Sequence, residues 1–241
     1  MSKHLVRGEV ILLFGPTGSG KSSFIQDVAG EQRRVDNGVI AHTAHCTVHN
    51  VELGNQTYTL VDTPGFGETP KENLQVLTKI SEFLHEIREH KIRGAIYFHR
   101  ITDGRFPGSA QTNLNIFKKI CGKGFFPHVA FVTTMWDTIK EEKRKKYDGL
   151  NDQLEVKYMK LCEESPSIFK YNRTGGDPKD VLWPFGRLGR TRPLLLSNEL
   201  ERLGAKPGLK AVRKTTAGKE ILEQNPNKGD RREGGGNCTI L

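Results

Sequence analysis

Cysteine is scarce in this chain. There are four in 241 residues, Cys46, Cys121, Cys162 and Cys238, and none forms a Cys-x-x-Cys pair. That spacing argues against a zinc ribbon and offers no disulfide framework. A chain of this length buries enough apolar surface to fold without either staple. Long apolar runs are lacking too. Residues 1–8 are short and polar, and the run 10–14 is too short for a secretory core or a membrane span. A cytosolic chain is therefore expected. No internal repeat is present, and no basic segment is interleaved with aromatics, so nucleic acid is not an expected partner. The formal charge of +9 reads first as a lysine-rich solvated surface and second as attraction to an anionic membrane.

Short apolar strands alternate with longer amphipathic stretches, the pattern of an α/β domain. Residues 9–14 read as a buried strand and 21–29 as the first helix. Residues 39–53 and 57–62 read as a hairpin about Gly54-Asn55. A helix is expected over 73–89, with Leu74, Leu77, Ile80, Phe83 and Leu84 on one face. Strands over 94–99, 129–133 and 168–171 alternate with helices over 113–121 and 139–164, and 194–203 forms a closing helix. These elements predict one domain over 8–205, a three-layer fold with a mostly parallel sheet and helices on both faces. After Pro207 large apolar residues thin out, so 206–241 is expected to be a basic, weakly structured tail.

Between the first strand and first helix stands Gly15-Pro16-Thr17-Gly18-Ser19-Gly20-Lys21-Ser22, followed by Ser23. This is the Gly-x-x-x-x-Gly-Lys-Ser phosphate loop. Its glycines let successive backbone N–H groups converge on phosphate oxygens, while Lys21 reaches the outer phosphates. The Ser22 hydroxyl is a Mg²⁺ ligand, and the following helix turns its positive end to the anion. The second piece is Asp62-Thr63-Pro64-Gly65 at a strand end. There Asp62 manages the metal, and the Gly65 N–H senses the terminal phosphate. A threonine that completes the metal shell is expected between residues 30 and 51. Thr43 and Thr47 are the candidates, and Thr47 is preferred because it lies closer to the hairpin strand. His45 and His49 share the Thr47 face and, like nearby His42, read first as exposed strand residues.

The third piece is Thr134-Met135-Trp136-Asp137 after a buried strand. A carboxylate here accepts two hydrogen bonds from guanine N1–H and its exocyclic amine, which adenine cannot supply. Asp137 fits that role, with Thr134 at the first position; the bland alternative is a helix N-cap aspartate. The motif's lysine, which packs along the base and ties to the phosphate loop, is replaced by Met135. GTP or GDP with Mg²⁺ are the expected cofactors.

These segments resemble the septin-like and immunity-associated (avirulence-induced type) GTPases, and more closely their small fungal single-domain relatives. The resemblance rests on Asp62-Thr63-Pro64-Gly65-Phe66-Gly67, on 97–105, on 115–122 and on Thr133-Thr134-Met135-Trp136-Asp137. It covers roughly residues 8 to 205 and leaves the tail unexplained. It implies that Arg105, in Gly104-Arg105-Phe106, acts across a homodimer as an arginine finger. Phe66 stands where Ras-like enzymes carry the glutamine that orients water, which implies slow unaided hydrolysis. The chain ends Cys238-Thr239-Ile240-Leu241, a prenylation box whose final leucine predicts geranylgeranylation of Cys238. One lipid chain binds membranes reversibly, and the basic surface would supply a second signal.

Overall fold

The structure is a computed structural model. It describes residues 6–30, 46–67, 69–103, 108–162, 167–173, 175, 177–189, 191–204 and 206–224. Six strands form one sheet: β1 (Glu9–Phe14), β2 (Thr47–Leu53), β3 (Gln56–Asp62), β4 (Ile92–Arg100), β5 (Val129–Thr134) and β6 (Ser167–Lys170). Their order is β2-β3-β1-β4-β5-β6. Among the described strands only the β2–β3 hairpin pairs antiparallel, turning at Gly54-Asn55 as its sequence demands. β1 lies inside the sheet and is buried from Val10 to Phe14, because both of its faces are covered.

The two faces carry separate apolar cores. On one side Ile11 and Leu13 of β1 pack with Phe24, Ile25 and Val28 of α1 (Lys21–Ala29) and with Phe185 of α5 (Trp183–Arg187). On the other, Leu12 and Phe14 meet α2 (Pro70–Glu86), α3 (Gly108–Cys121) and α4 (Arg144–Cys162). The three-layer expectation is met. α2 starts three residues earlier than its apolar period suggested, because Thr69 and Glu72 form a capping box with Pro70 in the first turn.

The tail expectation needs correction. α6 (Leu195–Arg202) is followed by α7 (Leu209–Val212) and α8 (Thr216–Glu223). Ala211, Val212, Ala217 and Ile221 are buried in the larger core. Thr215 caps α8 by accepting from Gly218 N, and the Glu199 carboxylate of α6 accepts from Thr216 N at 2.9 Å. Small side chains obscured this in the sequence. Alanine and glycine carry little hydropathy signal, yet they let a short helix lie close against its neighbours. Residues 225–241, with Cys238, lie outside the described residues.

His99 on β4 is 1% exposed. Burial holds its imidazole down to about 4, while Asp103 pulls the other way and Arg100 and Lys157 push with burial. The folded pKa lies below the unfolded value of 6.5. The unfolded chain therefore binds more protons between these values, and stability is lost as pH falls from 6.5 toward 4. The loss is worth about 3 kcal/mol, at roughly 1.4 kcal/mol per pH unit. Urea unfolding at pH 7 and pH 4 should show it in wild type and lack most of it in His99→Gln. Equal losses in both would contradict this.

Candidate functional site

The site lies at the carboxyl ends of β1, β3, β4 and β5, where open α/β sheets place their ligands. β1 ends at Phe14 and the chain turns sharply at Gly15, whose φ is 145°. A Cβ there would come within 2.6 Å of the Phe98 carbonyl oxygen, so only glycine fits. The loop then closes on itself. Lys21 Nζ donates to the carbonyls of Gly15 and Pro16, each at 3.1 Å. The side chain is buried, and burial pulls its ammonium below the usual lysine range, with Asp62 partly opposing. A desolvated cation at the first turn of a helix fits an arriving anion.

A cleft of about 240 Å³ opens beside it, lined by Thr17, Gly18, Lys21, Ser22, Thr47, Asp62 and Gly65, with Thr63 and Pro64. Three segments far apart in sequence thus meet here. Ser22 Oγ donates to Asp62 Oδ2 at 2.5 Å. Thr47 is the lateral partner of Asp62 in the hairpin, and its Oγ1 lies 3.2 Å from His49 Nε2. One carboxylate with two hydroxyls is a thin donor set by itself. Among the described residues no group of three or more His, Cys, Asp or Glu could hold a metal. The donor set present, one carboxylate and two hydroxyls, fits a Mg²⁺ for which nucleotide phosphates and waters would supply the remaining oxygens.

The segment after Asp62 is held against the loop. Thr63 Oγ1 donates to the Leu13 carbonyl at 2.6 Å, and Pro16 pairs with Phe66 in a parallel bridge. A Cβ on Gly65 would lie 2.4 Å from Thr17 N, so the close approach of these two backbones requires glycine. Phe66 is 2% exposed and belongs to the core beneath α2 and α3. The position that carries a water-orienting glutamine in Ras-like enzymes therefore faces the core. Gly67 N donates to Asn73 Oδ1 of α2 at 2.9 Å, which ties this segment to that helix.

At the tip of β5, Thr134 is buried and its Oγ1 donates to the Ser19 carbonyl at 2.9 Å, which ties this strand to the loop. Met135 takes the left-handed conformation, φ 65°. Trp136 turns inward, and its Nε1 donates to Thr133 Oγ1 at 3.0 Å. The turn leaves Asp137 exposed in a short 3-10 segment, Trp136–Thr138. It does not cap α4, which begins at Arg144. Pro16, Ser19, Gly20 and Ser23 lie in or just after the loop; Thr43, His42, His45 and Arg105 fall outside the described residues.

Sequence reading missed one cluster. Asp27 of α1 accepts from the Tyr171 hydroxyl and from Arg173 Nε and Nη2, each 3.0 Å away. Burial works against the Asp27 carboxylate, but these donors hold it below the usual range. Burial and then the bond to Asp27 push the Tyr171 phenol up, and the Asp137 charge adds a little to the same shift. The cluster fastens the β6 exit to α1. It escaped detection because it joins residues about 145 positions apart with no local motif.

Residues 10–102, from β1 to the end of β4, match the family described as "50S ribosome-binding GTPase". No curated protein matches the chain. Solved structures do. Toc33 from Arabidopsis thaliana in complex with GDP and Mg²⁺ is 18% identical over 90% of this chain and 84% of its own, with a TM-score of 0.52. Era from Aquifex aeolicus, bound to GDP and AlF4⁻, is 18% identical over 77% of this chain and 58% of its own, TM-score 0.52. The elongation factor SelB from Methanococcus maripaludis, with the GTP analogue GppNHp, is 14% identical over 78% of this chain, TM-score 0.50. This chain spans 36% of SelB. At such identities the likeness is one of fold, and that fold is the P-loop GTPase G domain.

Proposed function

We propose that this chain is a Mg²⁺-dependent guanine-nucleotide-binding protein that hydrolyses GTP slowly and works as a switch at a cytosolic membrane face. One observation carries the nucleotide reading: Lys21, Ser22, Thr47, Asp62 and Gly65 converge on one cleft, and the strand leading to Asp137 is bonded to the loop through Thr134. Lys21 and the loop amides would bind the phosphates and stabilise charge on the transferring group. Ser22, Asp62 and Thr47 would hold Mg²⁺, which neutralises that charge. Asp137 would select guanine. The relatives described above with GDP, Mg²⁺ or a GTP analogue support this assignment.

Slow turnover follows from buried Phe66, because no glutamine at that position can orient the attacking water. Arg105 would supply help from a second copy, a contribution of about 10³–10⁵ in rate where such fingers operate. Another structure of Toc33 is that of a dimerization-deficient arginine-to-alanine variant, 20% identical over 67% of this chain, TM-score 0.50. Membrane attachment would come from prenylated Cys238 with the basic surface as second signal. Phe66 also favours a second reading, in which GTP is held without useful turnover and serves assembly at the membrane.

Multiple-turnover phosphate release across protein concentrations separates the two. The switch reading expects slow turnover per molecule that rises with concentration, and a flat, low rate in Arg105→Ala. No turnover at any concentration would favour the assembly reading.

A further inference from the structure

The base motif carries Met135 where its pattern has a lysine, so the cation that normally ties the base strand to the phosphate loop is missing from the turn after β5. The sheet supplies one from the next strand. Arg100, the last residue of β4, is the lateral partner of Thr134, the residue just before Met135. Its side chain reaches over the phosphate loop: a Cβ built on Gly18 would lie 3.4 Å from Arg100 Nη1. Gly18 lines the cleft. The guanidinium is held in place from behind, because Arg100 Nε donates to Asp103 Oδ2 at 2.9 Å, three residues along.

Two neighbouring strand ends therefore address the same short loop. β5 does so through the Thr134 hydroxyl on the Ser19 carbonyl, and β4 through the guanidinium over Gly18. The choice of arginine makes physical sense. A planar fork pinned by a carboxylate at Nε keeps its Nη groups aimed in a fixed direction, which a flexible lysine does not. The Arg100 side chain is 37% exposed, so it is not sealed off beside the loop.

We propose that Arg100 does the work of the absent lysine. It is a nucleotide-positioning residue that sets a second fixed positive charge beside Lys21 at the middle of the phosphate loop, with Asp103 as its orienting partner. The inference rests on the guanine-nucleotide reading above.

The test is GDP binding, measured by fluorescence titration with a labelled GDP in Mg²⁺, for wild type, Arg100→Met, Met135→Lys and the double variant. Arg100→Met should weaken GDP by about 10- to 100-fold, the loss of a charge-assisted contact. Met135→Lys in the same chain should recover at least about tenfold of that, because it returns a cation to the neighbouring strand. A structural role as a β4 terminus would give no such recovery. If Arg100→Met melts early without ligand, Arg100→Lys keeps the charge, loses the fork and should show an intermediate loss. GDP affinity unchanged in either Arg100 variant, or a loss that Met135→Lys leaves unrepaired, overturns the inference while the nucleotide reading stands. A wild-type chain that binds no GDP overturns both.

Discussion

Lys21→Met should abolish useful nucleotide binding, with a loss in GDP affinity of about 10²-fold or more, and leave the empty domain at least as stable as wild type. The first half follows from the proposed contact of the ammonium and the loop amides with the phosphates, where charge-assisted bonds are worth roughly 1.5–3 kcal/mol each. The second half follows from the pKa. Burial draws the folded value below the 10.5 of free lysine, so the charged form is less favourable in the fold than in the unfolded chain. The unfolded chain holds the proton more tightly, and the penalty is present at neutral pH and relieved only as pH rises toward 10.5. The bonds to the Gly15 and Pro16 carbonyls reduce that penalty without removing it. Methionine keeps the apolar stem and drops the charge. A melting curve of the ligand-free variant at or above wild type, beside a flat GDP titration, is the expected pair of results. A large drop in melting temperature would mean that Lys21 is chiefly a structural cap of its loop.

Asp137→Asn should exchange the base. In the proposed site the carboxylate would accept from guanine N1–H and from the 2-amino group, whereas asparagine offers one acceptor and one donor and so suits xanthine, whose C2 carries an oxygen. Sites built on such polar pairing reject the mismatched analogue by about 10⁴–10⁵ when fully buried. Asp137 is exposed, so a smaller effect is expected here, about 10²-fold against GDP, with XDP now preferred. Because no helix depends on Asp137 as its cap, the variant should melt with wild type. Titrations with GDP and XDP check this, and an unchanged preference would remove Asp137 from the base site.

Much of the phosphate half of the site was legible because it is local. The loop residues from Gly15 to Ser22 are consecutive, and an apolar strand leads into them, so chemistry and placement are written in one segment. Asp62 and Gly65 were legible for the same reason, as a strand end followed by a short turn. Closeness to the hairpin strand favours Thr47 over Thr43, and the register sets Thr47 beside Asp62. The sequence could not reveal which way Phe66 faces, since a phenylalanine after a turn serves a cleft or a core equally well. Nor could it reveal Arg100 over Gly18 or the Asp27–Tyr171–Arg173 cluster. Those depend on which strands are neighbours, and strand order is set by crossover packing. The expectation of a weakly structured tail failed over α7 and α8 because their buried faces are made largely of small residues.

The central claim is that this cleft takes guanine nucleotide with Mg²⁺. Its most direct test is competition by GDP and ADP against a labelled guanine nucleotide on the wild-type chain, with and without Mg²⁺. GDP should displace the label at least about 100-fold more effectively than ADP, the discrimination expected of a paired base-reading carboxylate, and removing Mg²⁺ should weaken GDP. Equal displacement by ADP, or no saturable binding of the label, would contradict the account.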